Sequence, residues 1–188
     1  DVNTIASWIG YGSDGLPQPL PNPDDEAMMF FTGGTTGLPK GAEHRHRHIM
    51  AFCRLEAAIF STLRYDEEVS LCVAPMFHIF GHHHAVIHPI YLGATHVIVR
   101  RYKPDVVLAE LSKHRVTLFA GGPSTVYTGI LAAEGMAQAD LSSLKICSAG
   151  SSPFSARGAG SSPFSARAEL SAYATGAKPG SHLCRIAR

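Results

Sequence analysis

The sequence predicts an α/β fold, a mainly parallel sheet flanked by helices. Short apolar runs rich in β-branched and aromatic residues alternate with stretches of helical period, the pattern of βαβ units. Proline and glycine stand at the ends of most runs and mark where each element stops. Two of the runs lead directly into Gly-rich segments, where a parallel sheet collects its ligands.

The elements follow in order. Residues 1–26 read as a connecting segment, because Gly10, Gly12, Gly15 and Pro17, Pro19, Pro21 and Pro23 break any period. Ala27–Phe31 is a compact apolar run of strand length. A Gly/Thr-rich loop fills Thr32–Gly41. Helical spacing of Ile49, Phe52, Cys53, Leu55 and Ile59 predicts a helix over His46–Leu63, and pattern alone would start it as early as Ala42. Val69–Ala74 is the next strand, ended by Pro75. Gly81–Leu92 reads as a helix that Pro89 should kink or end. Thr95–Val99 is a strand. Pro104 suits the first turn of a helix running to His114, with Asp105 at its positive end. Val116–Phe119 is a strand, Pro123 opens a helix ending near Gly135, and Leu144–Cys147 is a strand before a Gly/Ser turn.

Composition excludes several classes of protein. Of 188 residues, 45% are hydrophobic and 16% charged, which is globular rather than disordered. A net charge of +1 gives no global field for nucleic acid, so an anionic ligand needs a local site. The four cysteines form no C-x-x-C pair, and we expect reduced thiols in a cytoplasmic setting. No apolar run has the length of a spanning helix; Ala85–Val99 is interrupted by His88, Pro89, Gly93 and His96. The chain starts at Asp1 without a signal-like segment, and we expect it to be an internal part of a longer protein.

The strongest chemical signal is Phe31-Thr-Gly-Gly-Thr-Thr-Gly-Leu-Pro-Lys-Gly41. Gly33, Gly34 and Gly37 let backbone approach a ligand closely, and exposed N–H groups in such turns form anion-binding nests. Thr32, Thr35 and Thr36 add hydroxyl donors, and Lys40 adds a point charge suited to phosphate. The spacing is neither a Walker A loop nor a dinucleotide fingerprint. Composition alone is equally consistent with a plain Gly/Thr connector.

The order of these residues closely resembles the signature loop of the acyl-adenylate-forming (AMP-binding) superfamily, and within it the acid–CoA ligase or fatty acyl-CoA synthetase type. Gly33 stands where Ser is usual there. Further segments resemble the same family. Gly41–His46 resembles its short strand and helix start, and Pro75–Gly81 its P-x-F-H-x-x-G segment. Gly121–Ser124 resembles the turn facing the acyl pocket, and Leu144–Pro153 the strand and small-residue turn near adenine. The resemblance implies a partial AMP-binding domain over 27–156, an incomplete portion of the family's large domain.

The resemblance also implies a chemistry. A carboxylate attacks the α-phosphorus of ATP to give acyl-AMP, and the thiol of CoA then displaces AMP. Thr32, Gly33, Gly34, Thr35, Thr36, Gly37 and Lys40 would bind the ATP phosphates, with Mg²⁺ sharing their charge. Lys40 and His78 would be the catalytic residues. Phe77, His78, Gly121 and Gly122 would line the acyl pocket, and Gly150, Ser151 and Ser152 would approach adenosine. Met76–His88 and Gly121–Val126 offer apolar walls without a fixed counter-charge, which favours a fatty or aromatic acid over an amino acid. Expected partners are therefore the acid, ATP and CoA.

Other readings remain open. A non-catalytic nucleotide- or partner-binding remnant is one, and a His-rich metal-binding protein is another. His44, His46 and His48 alternate, which on a strand gives one face and on a helix does not. His82, His83 and His84 are consecutive between His78 and His88, but no acidic or Cys ligand completes a recognised spacing. We expect no metal site and take histidines other than His78 as solvated or capping.

The end of the chain departs from the family. Ala149–Arg157 and Ala159–Arg167 both read AGSSPFSAR. Two copies make no solenoid, so a tandem duplication or an error in the deduced sequence is expected. The family's later Tyr-Gly-x-Thr-Glu segment, ribose-binding Asp and catalytic-lysine domain have no counterpart in 157–188, a tail expected to be disordered. A frame change near the duplication would explain both features; an intact frame through both copies in genomic DNA and transcript would reject it. We expect these 188 residues alone to be inactive.

Overall fold

The computed structural model describes residues 19–33, 37–150 and 169–173. The chain divides into two compact units, residues 1–50 and 51–188.

In the first unit, β1 (Glu26–Thr32) pairs antiparallel with β2 (Lys40–Arg45), from Glu26 opposite Arg45 to Thr32 opposite Lys40. The Ala27–Phe31 run is therefore a strand, but of a two-stranded hairpin and not of the parallel sheet. Helix α1 (His46–Ile59) starts immediately after β2, as the family resemblance implied and the bare period did not. Its start is fastened by the His46 N–H donating to the Asp25 carbonyl at 3.2 Å and the Arg47 N–H to the Pro23 carbonyl at 2.9 Å. The Arg47 guanidinium also pairs with Asp24.

The second unit holds a five-stranded parallel sheet in the order β4-β3-β5-β6-β7. Its strands are β3 (Val69–Cys72), β4 (Thr95–Val97), β5 (Leu118–Gly122), β6 (Ile146–Gly150) and β7 (Glu169–Tyr173). Ser70 lies opposite Leu118, Leu118 opposite Ile146, and Ile146 opposite Glu169. Strand β7 lies in the tail expected to be disordered; the remainder of 157–188 lies outside the described residues.

Both faces of the central strands are apolar, as a sheet covered on two sides requires. Leu71, Phe119, Cys147 and Ala149 pack with Val107, Leu108 and Leu111 of α4 (Pro104–Lys113) and with Tyr127 and Ile130 of α5 (Ser124–Leu131). The alternate residues Leu118 and Ile146 meet Phe60 and Leu92, while Cys72 and Ala120 meet Ala85. A 3₁₀ turn over Glu134–Ala137 follows α5, so the helix expected from Pro123 to Gly135 is split.

The segment expected as one helix over Gly81–Leu92 is helical throughout but changes pitch. It comprises α2 (Ile79–His82), a π-helical stretch over His83–Ile87, and α3 (His88–Leu92). The His88 N–H bonds the His83 carbonyl across the wide π turn, and Pro89 falls in the first turn of α3. A proline is tolerated there because that N–H needs no intrahelical partner.

Strand ends also moved. Val116–Phe119 was expected where Leu118–Gly122 is found, and Leu144–Cys147 where Ile146–Gly150 is found. In each case the small residues assigned to a turn belong to the strand. Parallel pairing uses backbone alone, so glycine and alanine extend it without an apolar side chain.

Candidate functional site

The Gly/Thr loop closes the β1–β2 hairpin. The Thr32 hydroxyl donates to the Lys40 carbonyl at 3.2 Å, pinning the two ends of the loop together. Thr32, Gly33, Gly37, Leu38, Pro39 and Lys40 are all exposed, and Leu38 is 89% so. A Cβ added at Gly33 or Gly37 would meet nothing within 4 Å. Lys40 has no ion-pair partner among the described residues. Gly34, Thr35 and Thr36 lie outside the described residues.

In the second unit, the carboxyl ends of β3, β5 and β6 lie side by side in the sheet. The turn after β3 carries Pro75, Phe77 and His78. His78 caps α2: its backbone is extended (φ −91°, ψ 142°) and its Nδ1 accepts the Phe80 N–H at 3.2 Å. That bond places the proton of the neutral ring on Nε2, which leaves an exposed N–H donor. Phe77 is 86% exposed, a large aromatic held at the sheet edge. Gly81 explains the tight path behind it. A Cβ there would sit 2.0 Å from the Pro75 carbonyl oxygen, so only glycine lets α2 start this close to the turn.

Gly121 and Gly122 end β5, and Gly122 lies opposite Ala149 in β6. The Gly121 N–H donates to the Tyr127 hydroxyl at 3.2 Å, and that hydroxyl donates to the Ser148 carbonyl at 2.6 Å. A Cβ at Gly121 would strike the Tyr127 ring at 2.7 Å. Gly150 is the last residue of β6, while Ser151 and Ser152 lie outside the described residues. His78, Phe77, Gly121, Gly122 and Gly150 thus share one edge of one sheet. Thr32, Gly33, Gly37 and Lys40 belong to the other unit.

The histidines depart from expectation. His44 lies in β2 and His46 and His48 in α1, so the alternation spans an element boundary and gives no common strand face. His48 Nδ1 accepts the Arg45 N–H at 3.2 Å. His83, His84 and His88 are buried rather than solvated or capping, with His88 fully so. Phe52 meets His83 edge-on and Phe80 meets His84 at a tilt, each with ring centroids 4.3 Å apart.

Glu56 of α1, also buried, approaches His88 Nδ1 at 3.0 Å and His84 Nδ1 at 3.9 Å. Burial pushes the His84 imidazole down to about 4, against the opposing pull of Glu56 and with help from His88 and His83. The sequence missed this cluster because Glu56 comes from a different helix. The His84–His88 spacing of four was its one visible trace.

Residues 4–159 match the AMP-binding enzyme family. The chain belongs to that family. It is 36% identical over 153 residues to the long-chain-fatty-acid–CoA ligase of Bacillus subtilis (strain 168), covering 80% of this chain and 27% of that protein. It is 33% identical over 135 residues to 4-coumarate–CoA ligase-like 3 of Arabidopsis thaliana, covering 71% and 24%. The chain therefore spans about a quarter of the length of these curated relatives. Among solved structures, the inhibitor-bound N-terminal domain of FACL13 from Mycobacterium tuberculosis superposes with a TM-score of 0.76 at 22% identity, covering 90% of this chain and 42% of that one. It shares the fold. The anthranilate CoA ligase AuaEII, in complex with anthranoyl-AMP, superposes with a TM-score of 0.67 at 29% identity over 79% of this chain and 29% of that one.

Proposed function

We propose that a protein containing this segment of an AMP-binding enzyme activates a fatty or aryl carboxylic acid with ATP and transfers the acyl group to CoA. The observation that carries the reading is the alignment of three neighbouring strand ends at one edge of the parallel sheet, with the His78 imidazole following β3, Gly121–Gly122 ending β5 and Gly150 ending β6. That edge is where parallel sheets bind ligands.

The chain's own groups suit the first step. The hairpin loop offers open backbone at Gly33 and Gly37 and the Lys40 ammonium, a combination that holds polyphosphate. Mg²⁺, when bound, supplies further positive charge to the phosphates. His78 Nε2–H would orient the acid carboxylate, and Phe77 would wall its apolar body. Each group would fix one reactant, the loop the phosphates and His78 the carboxylate, and such positioning is a main source of catalysis. Gly150, with Ser151 and Ser152, would receive adenosine. The predominantly acid–CoA ligase relatives support this substrate class. A cytoplasmic setting belongs to the proposal, and Cys53, Cys72 and Cys147 are buried free thiols. Among the described residues, no helix is long and apolar enough to cross a membrane.

The test is acid-dependent ATP–pyrophosphate exchange by the product of the complete open reading frame, offered fatty and aryl acids. Exchange that falls on Lys40→Met supports the reading. A charge-assisted contact is worth about 1.5–3 kcal/mol, so the apparent ATP affinity should drop roughly 10- to 150-fold. No exchange with any acid, or ATP affinity indifferent to Lys40, Thr35 and Thr36, rejects it. We expect no exchange from these 188 residues alone.

A further inference from the structure

The acyl-activation reading uses none of Glu56, His84 or His88, yet these side chains converge within the second unit. One ligand atom from each lies within 4.8 Å of the other two. Glu56 Oε2 is 3.0 Å from His88 Nδ1 and 3.9 Å from His84 Nδ1. All three side chains are at least nine-tenths buried.

We propose that Glu56, His84 and His88 form a buried site for a divalent cation of the zinc class, which ties α1 to the helical segment over residues 79–92. Two imidazoles and one carboxylate are an established zinc donor set. Ligands at about 2.0–2.2 Å from a tetrahedral metal stand roughly 3.3–3.6 Å apart, so the present spacings need to adjust by little more than an ångström. The histidines are four apart in a helix, which brings both rings to one side, and the carboxylate comes from a second helix. The local π-helical pitch falls across His84, a distortion frequent at functional sites.

The alternative is a purely structural knot in which imidazoles hold the carboxylate by hydrogen bonds. His88 argues against it. The ring is fully buried, and neither of its nitrogens makes a hydrogen bond within the described residues, although Nδ1 is 3.0 Å from Glu56. A close approach without hydrogen-bond alignment is what two ligands of a common ion show, because each lone pair points at the metal and not at its neighbour. A buried carboxylate also gains from a dication, since its charge is otherwise costly to desolvate.

Buried ligands load as the chain folds, so metal should be present during refolding. The whole chain carrying His44→Gln, His46→Gln and His48→Gln removes the alternating histidines of β2 and α1 as competitors. Refolded with Co²⁺ and passed through gel filtration, it should retain one equivalent with the visible absorption of a four- or five-coordinate ion. Zn²⁺ should raise its thermal midpoint, and X-ray absorption of the zinc form should report two imidazoles. Glu56→Gln and His88→Asn should each weaken binding by more than the 10- to 100-fold that loss of an outer hydrogen-bond partner costs. Failure of the folded parent to retain metal overturns the proposal, as does unchanged affinity in folded Glu56→Gln or His88→Asn. If those variants do not fold, the parent decides alone: no midpoint shift with Zn²⁺, or three or more imidazoles around it, rejects the site.

Discussion

The Tyr127 hydroxyl donates to the Ser148 carbonyl at 2.6 Å, and so fastens α5 to the middle of strand β6. The same oxygen accepts the Gly121 N–H at 3.2 Å, so one buried phenol ties the end of β5 to β6 two residues before Gly150, near the candidate acyl and adenosine residues. Burial raises the phenol well above its ordinary value, which keeps the donor proton in place. Tyr127→Phe should preserve the packing against Phe119 and leave two buried backbone groups short of a partner. We expect a loss of about 1–3 kcal/mol, read as a lower urea midpoint at unchanged m-value. A midpoint equal to that of the parent would show that the phenol contributes packing alone.

Gly81 and the Pro75 carbonyl make a second geometric demand. Alanine is the better helix former by about 1 kcal/mol. Its Cβ would nevertheless stand 2.0 Å from a backbone oxygen, which cannot rotate away. Gly81→Ala should therefore destabilise by about 1–3 kcal/mol, the usual cost of overpacking, and displace the His78 turn. Equal or greater stability in a denaturant titration would mean that α2 and its turn shift freely.

These two contacts show what the sequence could and could not disclose. The strands of the parallel sheet were legible because Leu118, Phe119, Ile146 and Cys147 are apolar on both faces. Pattern cannot say which partner a strand chooses, and so β1 was assigned to a sheet it does not join. The family was legible because the residue order of the Gly/Thr loop and of the His78 turn is specific. Glu56 was illegible because an acid on a helix gives no hint that its solvent side is in fact covered by His84 and His88. Strand β7 was missed because Glu169–Tyr173 has no apolar run, and parallel register with β6 is a tertiary fact.

His78 caps α2, and under the proposed function it would also donate to the acid, two roles that substitution separates. Asparagine is among the best N-cap residues, and alanine among the poor ones. His78→Ala should cost about 0.5–2 kcal/mol of stability together with acid-dependent exchange. His78→Asn should recover most of the stability, while exchange in the full-length protein stays at least tenfold down. Full activity in His78→Asn would reduce His78 to a cap.

Glu68 supplies a pH test that is independent of the site. Its side chain is buried, and it accepts from the Lys145 ammonium at 2.7 Å, the Thr117 hydroxyl at 2.5 Å and the Arg64 N–H at 2.8 Å. Burial alone would raise its pKa, but these donors and the Lys145 charge outweigh burial and hold it below the ordinary value of 4.5. A carboxyl depressed in the folded state contributes stability that is fully present above its unfolded pKa. That contribution is lost as pH falls through the folded pKa. Unfolding midpoints should therefore be level with respect to Glu68 at neutral pH and decline on acidification below about 4.5. Glu68→Gln removes the ionisation, so it should lower stability at pH 7 and flatten the acid limb relative to the parent. Parallel acid limbs in parent and variant would place the proton uptake on other carboxylates.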